Sequence, residues 1–407
     1  MSSLSTYVVT FNCGREFIKP AVFAAHLFDV ASSPPDLLVI CLQEIAPIGY
    51  AFLGGSLLGP YFNAFRNAVR LAGRGYVNVV ADNVGLTAIM VFAKAEVASN
   101  IRSLQTAGVG VGVAEMGNKG AVGVRLGYGV GDDLMFMTFV SAHLTPFEGE
   151  LARRNRDYRH IVQRLVFVDH SETPSRNQDE DRPLLQDGMA NQTSAGLYMP
   201  SSHLVFAGDL NYRTSLLPPS PEDRRSYPQP TQEKSDPTHF SHLLLEDQLT
   251  LELKANKTLH HLVEEPINFA PTYKLRPHQD VTLDSDQPWN WAPHRWPSWC
   301  DRILRSPTNI KPLAYHSLPL FGTSDHRPVA FSMLIPLNPV HSASFPFTAP
   351  YGIDPAWKAR RDAARTKEIA FGTMAYLAWT YQGNAVLLAA AVACASGWLI
   401  FRSLLLA

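Results

Sequence analysis

The chain has 407 residues, 46% of them hydrophobic, and a formal net charge of −1 at pH 7. That length and apolar content support one large core or two ordinary ones and exclude global disorder. Near-neutrality excludes attraction of an anion by the field of the whole molecule, so any anionic partner has to meet a local cluster, and nucleic acid is not an expected partner. Cys13, Cys41, Cys300 and Cys394 lie far apart without a Cys-x-x-Cys spacing. They fit neither a disulfide scaffold nor a structural zinc site and indicate a reducing compartment.

Residues 1–20 hold no basic stretch followed by a long apolar run, so no secretory leader is expected. Short β-like runs then recur at 7–11, 36–42, 88–93, 120–126, 134–142, 204–207, 302–305 and 328–334. They alternate with helix-like segments at 22–30, 61–71 and 148–168, the last opening on acidic residues. Mixed α/β is the class this alternation predicts. Residues 171–202 and 214–235, rich in Ser, Pro, Asp, Arg and Gln, carry no periodicity and read as surface insertions.

The C-terminal end differs from the rest. Residues 338–355, rich in Pro, Ser and Phe, begin an expected linker that runs over 337–367 and includes Lys358, Arg360, Arg361, Arg365 and Lys367. No charged residue occurs over 369–401, and 385–401 is nearly all apolar. At about 1.5 Å per residue that run crosses most of a bilayer core, and Arg402 can snorkel so that Leu404, Leu405 and Leu406 extend it. The basic residues upstream place the N-terminal part on the cytosolic side. A membrane anchor over 368–407 is the preferred reading and a buried core helix its rival. Residues 369–381, with Tyr376, Trp379 and Tyr381, either lie in the interface or prolong one tilted helix. The expected division is therefore a catalytic domain over 1–336, the linker and the anchor.

Polar residues follow the ends of separate β-like runs. Four apolar or small residues, Val205 to Gly208, deliver Asp209 and Asn211, which a strand's period of two sets on one face so that a carboxylate and an amide converge. Gly-Asp-x-Asn reads equally well as a turn. Asn12 follows 7–11, Glu44 follows 37–43, His143 follows 136–142, and Asp325 with His326 precedes the last run. Any one of them is commonly a cap or a satisfied polar group, but together they form a set with the chemistry of an active site. Carboxylates with amides favour a hard cation such as Mg²⁺, which binds through one or two carboxylates plus substrate phosphate, over zinc.

The set resembles the endonuclease/exonuclease/phosphatase superfamily and, within it, the inositol polyphosphate 5-phosphatases. Phe206-Ala-Gly-Asp-Leu-Asn-Tyr-Arg213 and Pro297-Ser-Trp-Cys-Asp-Arg-Ile-Leu304 carry that resemblance. Leu42-Gln-Glu44, Gly117-Asn-Lys-Gly120, His143-Leu144, Arg154-Asn-Arg-Asp-Tyr158, Pro271-Thr-Tyr-Lys274 and Ser324-Asp-His326 support it in order. It implies two mixed β-sheets packed face to face and flanked by helices in a four-layer sandwich. It also implies that Glu44, helped by Asn12, holds Mg²⁺, while Asp209 orients and deprotonates the attacking water and Asn211 fixes the phosphate or the nucleophile. His326 then contacts the scissile phosphate under the control of Asp301, His143 stabilises phosphate charge, and Asp325 contributes to the metal environment. Lys119, Tyr273, Lys274 and Arg154, assisted by Asn118 and Asn155, grip a neighbouring phosphate. One departure is Phe147, where the family often has a second histidine. The implied function is a membrane-tethered, Mg²⁺-dependent phosphatase acting on the 5-phosphate of phosphoinositides, on the endoplasmic reticulum or another internal membrane. A neutral sphingomyelinase-like phosphodiesterase and a tail-anchored adaptor without catalysis are the alternatives.

Overall fold

A computed structural model describes residues 3–130, 133–170, 195–276, 288–338 and 348–405. Much of the insertion expected at 171–202 and part of the expected linker lie outside the described residues. Two sheets form the centre. One has six strands in the order β12 (Lys311–Ser317), β13 (Val329–Pro336), β1 (Ser3–Asn12), β2 (Leu37–Gln43), β4 (Thr87–Lys94) and β3 (Tyr76–Val84). The other has seven, in the order β10 (Val263–Glu264), β11 (Asp301–Arg305), β9 (Ser202–Asp209), β7 (Asp133–His143), β6 (Gly120–Val130), β5 (Ile101–Gly110) and β8 (Val168–Asp169). The helices are α1 (Pro20–His26), α2 (Ile48–Leu53), α3 (Gly59–Ala72), α4 (Ala95–Ala98), α5 (Leu151–Arg164), α6 (Phe240–Leu244), α7 (Gln248–Lys254), α8 (Trp357–Trp379) and α9 (Tyr381–Leu405).

Strand periodicity explains the layering. Val8, Val39, Cys41, Ile89 and Val91 point inward and meet Val124, Met137, Phe139, Val205 and Ile303 of the opposite sheet. Alternate residues of the same strands, Val9, Phe11, Leu38 and Ile40, face outward onto Phe23 of α1 and Phe62 and Phe65 of α3. On the far side Val140, Leu204 and Phe206 pack on Tyr158 and Ile161 of α5 and Leu249 of α7. The order is helix, sheet, sheet, helix. Because both faces of the central strands are covered, they read as continuous apolar runs, and β2 and β9 are buried along their whole length.

Among the described residues two strand pairs are parallel, β1 with β2 and β7 with β9. Their C-terminal ends therefore finish together, with Asn12 beside Gln43 and His143 beside Asp209. This shared edge is where the polar residues gather.

The tail departs from the expected linker, and of the two readings of 369–381 the one tilted helix is not what is seen. Basic residues 358–367 belong to α8, which packs on α2 through Phe52 against Phe371 and Tyr50 against Tyr376. Its buried positions, Ala364, Glu368, Gly372 and Ala375, are small residues and one carboxylate, which leave no apolar periodicity in the sequence. Thr380, in extended conformation, ends α8, and α9 follows at once. Gly383 at the start of α9 is buried, but its most apolar 18-residue stretch has a mean hydropathy of 1.9 and is not buried against the protein, which argues against a core helix; among the described residues this one helix is long and apolar enough to cross a membrane.

Candidate active site

Asp209 is the hub, delivered by the last residue of β9. The glycine before it is required by packing: a Cβ on Gly208 would sit 1.9 Å from the Ala142 carbonyl oxygen of β7. Asp209 Oδ2 accepts a hydrogen bond from Asn12 Nδ2 at 2.9 Å and lies 3.3 Å from His143 Nε2 and 3.9 Å from His326 Nε2. The pleat does not carry Asn211 to the same face, as a continuing strand would. Asn211 has φ +57°, outside the strand, and it is a turn that brings its backbone N–H to Asp209 Oδ1 at 3.1 Å. Its side chain donates to the Leu144 carbonyl at 3.1 Å and accepts from Arg213, so no part of that amide is idle.

His326 and Asp301 form a second unit. The imidazole Nδ1 lies 2.8 Å from Asp301 Oδ2, which also accepts from the Thr272 hydroxyl at 2.7 Å. Burial alone would pull His326 down, but the carboxylates of Asp301 and Asp209 outweigh it and lift its pKa from 6.5 to about 9. The ring is therefore a cation at neutral pH. Burial would likewise raise Asp209, and the His326 and Lys119 cations hold it below the usual carboxylate range. Asp301 moves the other way, raised by burial despite His326. Ser324 fixes the turn that presents His326: its hydroxyl donates to the Asn12 carbonyl at 2.6 Å and accepts from the His326 backbone N–H at 3.0 Å.

His143 is in the other protonation state. Burial and the adjacent Lys119 ammonium keep it below its ordinary range, so it is neutral and accepts from Lys119 Nζ at 2.7 Å through Nε2. Lys119 Nζ is also 3.6 Å from Glu44 Oε1, and Arg15 Nε is 2.9 Å from Glu44 Oε2. Burial works to raise Glu44, while the adjacent cations Lys119 and Arg15 prevail and lower it. Glu44 sits at φ +48°, a left-handed conformation that is uncommon for such a residue and aims it off the end of β2.

The donor chemistry fits a hard divalent cation. Ionised Glu44 and Asp209 offer carboxylate oxygens, and the nearby Cys13 thiol is buried and held protonated, as its raised pKa shows. Asn12 contributes less than expected to such a site, since its Oδ1 already accepts from the Gly14 N–H at 3.0 Å. Asp209, Asp301 and His326 also lie close enough together to hold an ion. The Asp301–His326 pair, with the imidazole protonated, serves acid–base chemistry better than ligation, which needs a neutral ring nitrogen.

Other expected residues fall into two groups. The Tyr273 ring lies tilted 4.6 Å from that of His326, and Lys274 is hydrogen-bonded to Asp325, which lies 3.9 Å from His326 Nε2, so these three border the centre. The Lys274 ammonium, rather than a metal environment, is what Asp325 meets here; it and His326 lower that carboxylate against the effect of burial. Arg154, Asn155 and Asn118 are not brought in. The buried Arg154 guanidinium donates to the carbonyls of Thr145, Phe147 and Glu148 and to Gln248 Oε1, and it sits over the Tyr212 ring. Asn155 bridges Glu252 and Tyr212, and the Asn118 oxygen closes its own loop on the Val113 N–H at 3.0 Å. Phe147 is half exposed at φ +78°, with the Arg295 guanidinium 4.9 Å from its ring centre.

Arg15, Arg213, Thr272 and Ser324 escaped sequence reasoning. Arg213 closes the quoted β9 motif, and its guanidinium lies 4.3 Å from the centre of the Tyr273 ring. An arginine within a motif that otherwise supplies the carboxylate was the available signal; Arg15 carried none.

A family model described as "Endonuclease/Exonuclease/phosphatase family 2" matches residues 9–332. A polyphosphatidylinositol phosphatase of Saccharomyces cerevisiae is 28% identical over 337 residues, 81% of this chain and 26% of that protein. A mouse phosphatidylinositol 3,4,5-trisphosphate 5-phosphatase is 33% identical over 246 residues, 59% of this chain and 18% of that protein. The chain thus spans about a quarter or less of the length of these curated relatives. Among solved structures, the inositol polyphosphate 5-phosphatase domain of a synaptojanin, bound to inositol 1,4-bisphosphate and calcium, superposes with TM-score 0.59 at 22% identity over 91% of each chain. A Cimex nitrophorin in its ferrous NO complex superposes with TM-score 0.54 at 19% identity over 83% of this chain and 100% of that one. Both likenesses establish the fold, and their different ligands show that the fold alone decides no chemistry.

Proposed function

We propose that this chain, which belongs to the endonuclease/exonuclease/phosphatase family, is a phosphoric monoester hydrolase that removes the 5-phosphate of a phosphoinositide such as phosphatidylinositol 4,5-bisphosphate, using Mg²⁺ and tethered to a membrane by α9. The observation that carries this reading is the convergence of a cationic His326, a neutral His143, Lys119 and two ionised carboxylates, Glu44 and Asp209, at the common end of the two packed sheets. Such a site presents positive charge to phosphate oxygens and a carboxylate to water. The relatives' names supply the substrate class.

In the reaction a water oxygen bonds to phosphorus, the bond from phosphorus to the inositol oxygen breaks, and the leaving oxygen takes up a proton. Asp209 is held below the ordinary carboxylate range, which makes it a weak base. Its part is to orient the water and to accept the proton only as charge builds at phosphorus. His326 stays protonated up to about pH 9 and supports the phosphate oxygens, with Asp301 fixing its Nδ1 proton and ring plane. Lys119, beside His143 and Glu44, serves the phosphate that neighbours the scissile one, as do Tyr273 and Lys274. Glu44 and Asp209 would hold Mg²⁺, which when bound acidifies water and neutralises phosphate oxygens. Tethering raises the local concentration of enzyme at its lipid substrate.

The test uses the full chain in detergent with Mg²⁺, a panel of phosphoinositides, soluble inositol phosphates and sphingomyelin, and Asp209→Ala as control. Phosphate release from 5-phosphorylated lipids, lost in the control and with chelator, is expected. Phosphocholine release from sphingomyelin without phosphate release would move the protein to the phosphodiesterase branch, and silence on every substrate would leave a non-catalytic adaptor.

A further inference from the structure

The buried face of α8 contains a charge that docking alone does not need. Ala364, Glu368, Gly372 and Ala375 succeed one another at helical spacing, and all but Glu368 are small. Sinking a carboxylate into such a stripe is unfavourable unless its oxygens are matched. Both are matched here. Glu368 Oε1 accepts from the Gly117 backbone N–H at 2.8 Å, and Oε2 is 3.3 Å from Arg365 Nη1. Arg365 in turn donates to the carbonyls of Phe52 and Leu53 at the end of α2, a terminus where a helix favours a cation.

Gly117 opens the turn Gly117-Asn118-Lys119-Gly120, which sets the Lys119 ammonium between His143 and Glu44. The turn also carries a line of backbone hydrogen bonds toward Glu44. The Gly117 carbonyl accepts from the Leu86 N–H at 2.9 Å, and the Leu86 carbonyl accepts from the N–H of Ile45, the residue after Glu44, at 3.3 Å. Contact along this line is close: a Cβ on Gly117 would meet the Gly85 nitrogen at 2.8 Å. Glu368 ends the line. On either side α8 holds the approach to the turn, with Lys367 Nζ donating to the Ala114 carbonyl at 3.1 Å and Arg360 Nη1 to Glu115 Oε1 at 2.9 Å. Ala114 and Glu115 are both at positive φ, a conformation that surrounding contacts have to maintain.

We infer that α8 is an integral part of the catalytic unit and that Glu368 is a positioning residue, which sets the Gly117–Gly120 turn and through it the Lys119 ammonium. The helix that leads directly into α9 thereby tunes recognition of the phosphate next to the scissile one. This inference rests on the phosphoinositide reading for its substrate readout and on the structure alone for its conformational one.

Two measurements on the full chain in detergent decide it. With soluble dioctanoyl phosphatidylinositol 4,5-bisphosphate and phosphatidylinositol 5-phosphate, E368A lowers the ratio of the two kcat/KM values about tenfold, the scale of one lost charge-assisted hydrogen bond, while E368Q, which keeps the acceptor oxygen, stays within about threefold of the parent. A ratio is indifferent to the fraction of enzyme that is folded. Equal loss on both substrates, or an unchanged ratio, overturns the inference. In hydrogen exchange, amides of 112–120 open at least about tenfold faster in E368A than in the parent or E368Q, while those of β9 do not change. Unchanged protection of 112–120 overturns the inference whether or not the parent releases phosphate, whereas a parent that releases none from either lipid refutes the substrate reading alone.

Discussion

His326 and His143 flank the same oxygen of Asp209, both buried, yet one is a cation and the other neutral. Burial pulls both toward the neutral form. What separates them is the next neighbour: the Asp301 carboxylate 2.8 Å from His326 Nδ1, against the Lys119 ammonium 2.7 Å from His143 Nε2. The site therefore keeps one imidazole as a cation for phosphate oxygens and one as a neutral partner for a lysine. A buried histidine's role follows from its second contact rather than from its depth.

Removing what the two rings share should have the largest effect. Asp209→Asn keeps the shape but not the charge and is expected to lower kcat on a 5-phosphorylated lipid by roughly 10³-fold, the scale for loss of a positioned acid–base group. Phosphate release per turnover measures it. Retention of more than about a tenth of the activity would mean that the reacting water lies elsewhere.

Next, Asp301→Asn should erase the difference between the rings, lowering kcat about 10²-fold and moving the alkaline limb of the pH profile downward. The same change alters stability. A pKa raised from 6.5 to about 9 contributes stability that is fully present below about pH 6.5 and lost as pH rises through about 9. Melting curves of the parent should fall across that window, and those of Asp301→Asn should be flatter. An unmoved alkaline limb would assign it to another group.

Arg154→Met sharpens the comparison from outside. It strands the carbonyls of Thr145, Phe147 and Glu148, so it should cost about 3 kcal/mol of stability by denaturant titration. Substrate preference should remain within about twofold. A large change in preference with little loss of stability would restore Arg154 to the binding set.

The smallest readout, a shift in one pKa rather than in turnover, is expected for His143 in Lys119→Met. It removes the cation that depresses His143, so the pKa of that ring, followed by NMR, should rise while that of His326 stays put. A His143 that does not move would make burial its only cause.

Legibility in the sequence followed burial. All eight β-like runs became strands, since central strands covered on both faces keep their apolar signature, as β2 and β9 do. The half-exposed edges, β3 and β12, and the glycine-rich β5 carry no such run and were not foreseen. In the site, residues at strand ends, Asp209, His143, Glu44 and Asn12, were readable because topology brings strand ends together. Arg154 and Asn155 were not, because motif membership does not reveal which way a helical side chain turns. Glu368 was invisible for a related reason: its partner is the backbone of Gly117, 251 positions away in sequence.

The most direct test of the account is hydrolysis of phosphatidylinositol 4,5-bisphosphate by the full chain in water enriched in the heavy oxygen isotope, with both products weighed by mass spectrometry. Direct attack of water on the 5-phosphorus predicts one heavy oxygen in the released phosphate and an unlabelled phosphatidylinositol 4-phosphate. Heavy oxygen in the lipid, loss of the other phosphate, or cleavage at the diester would contradict it.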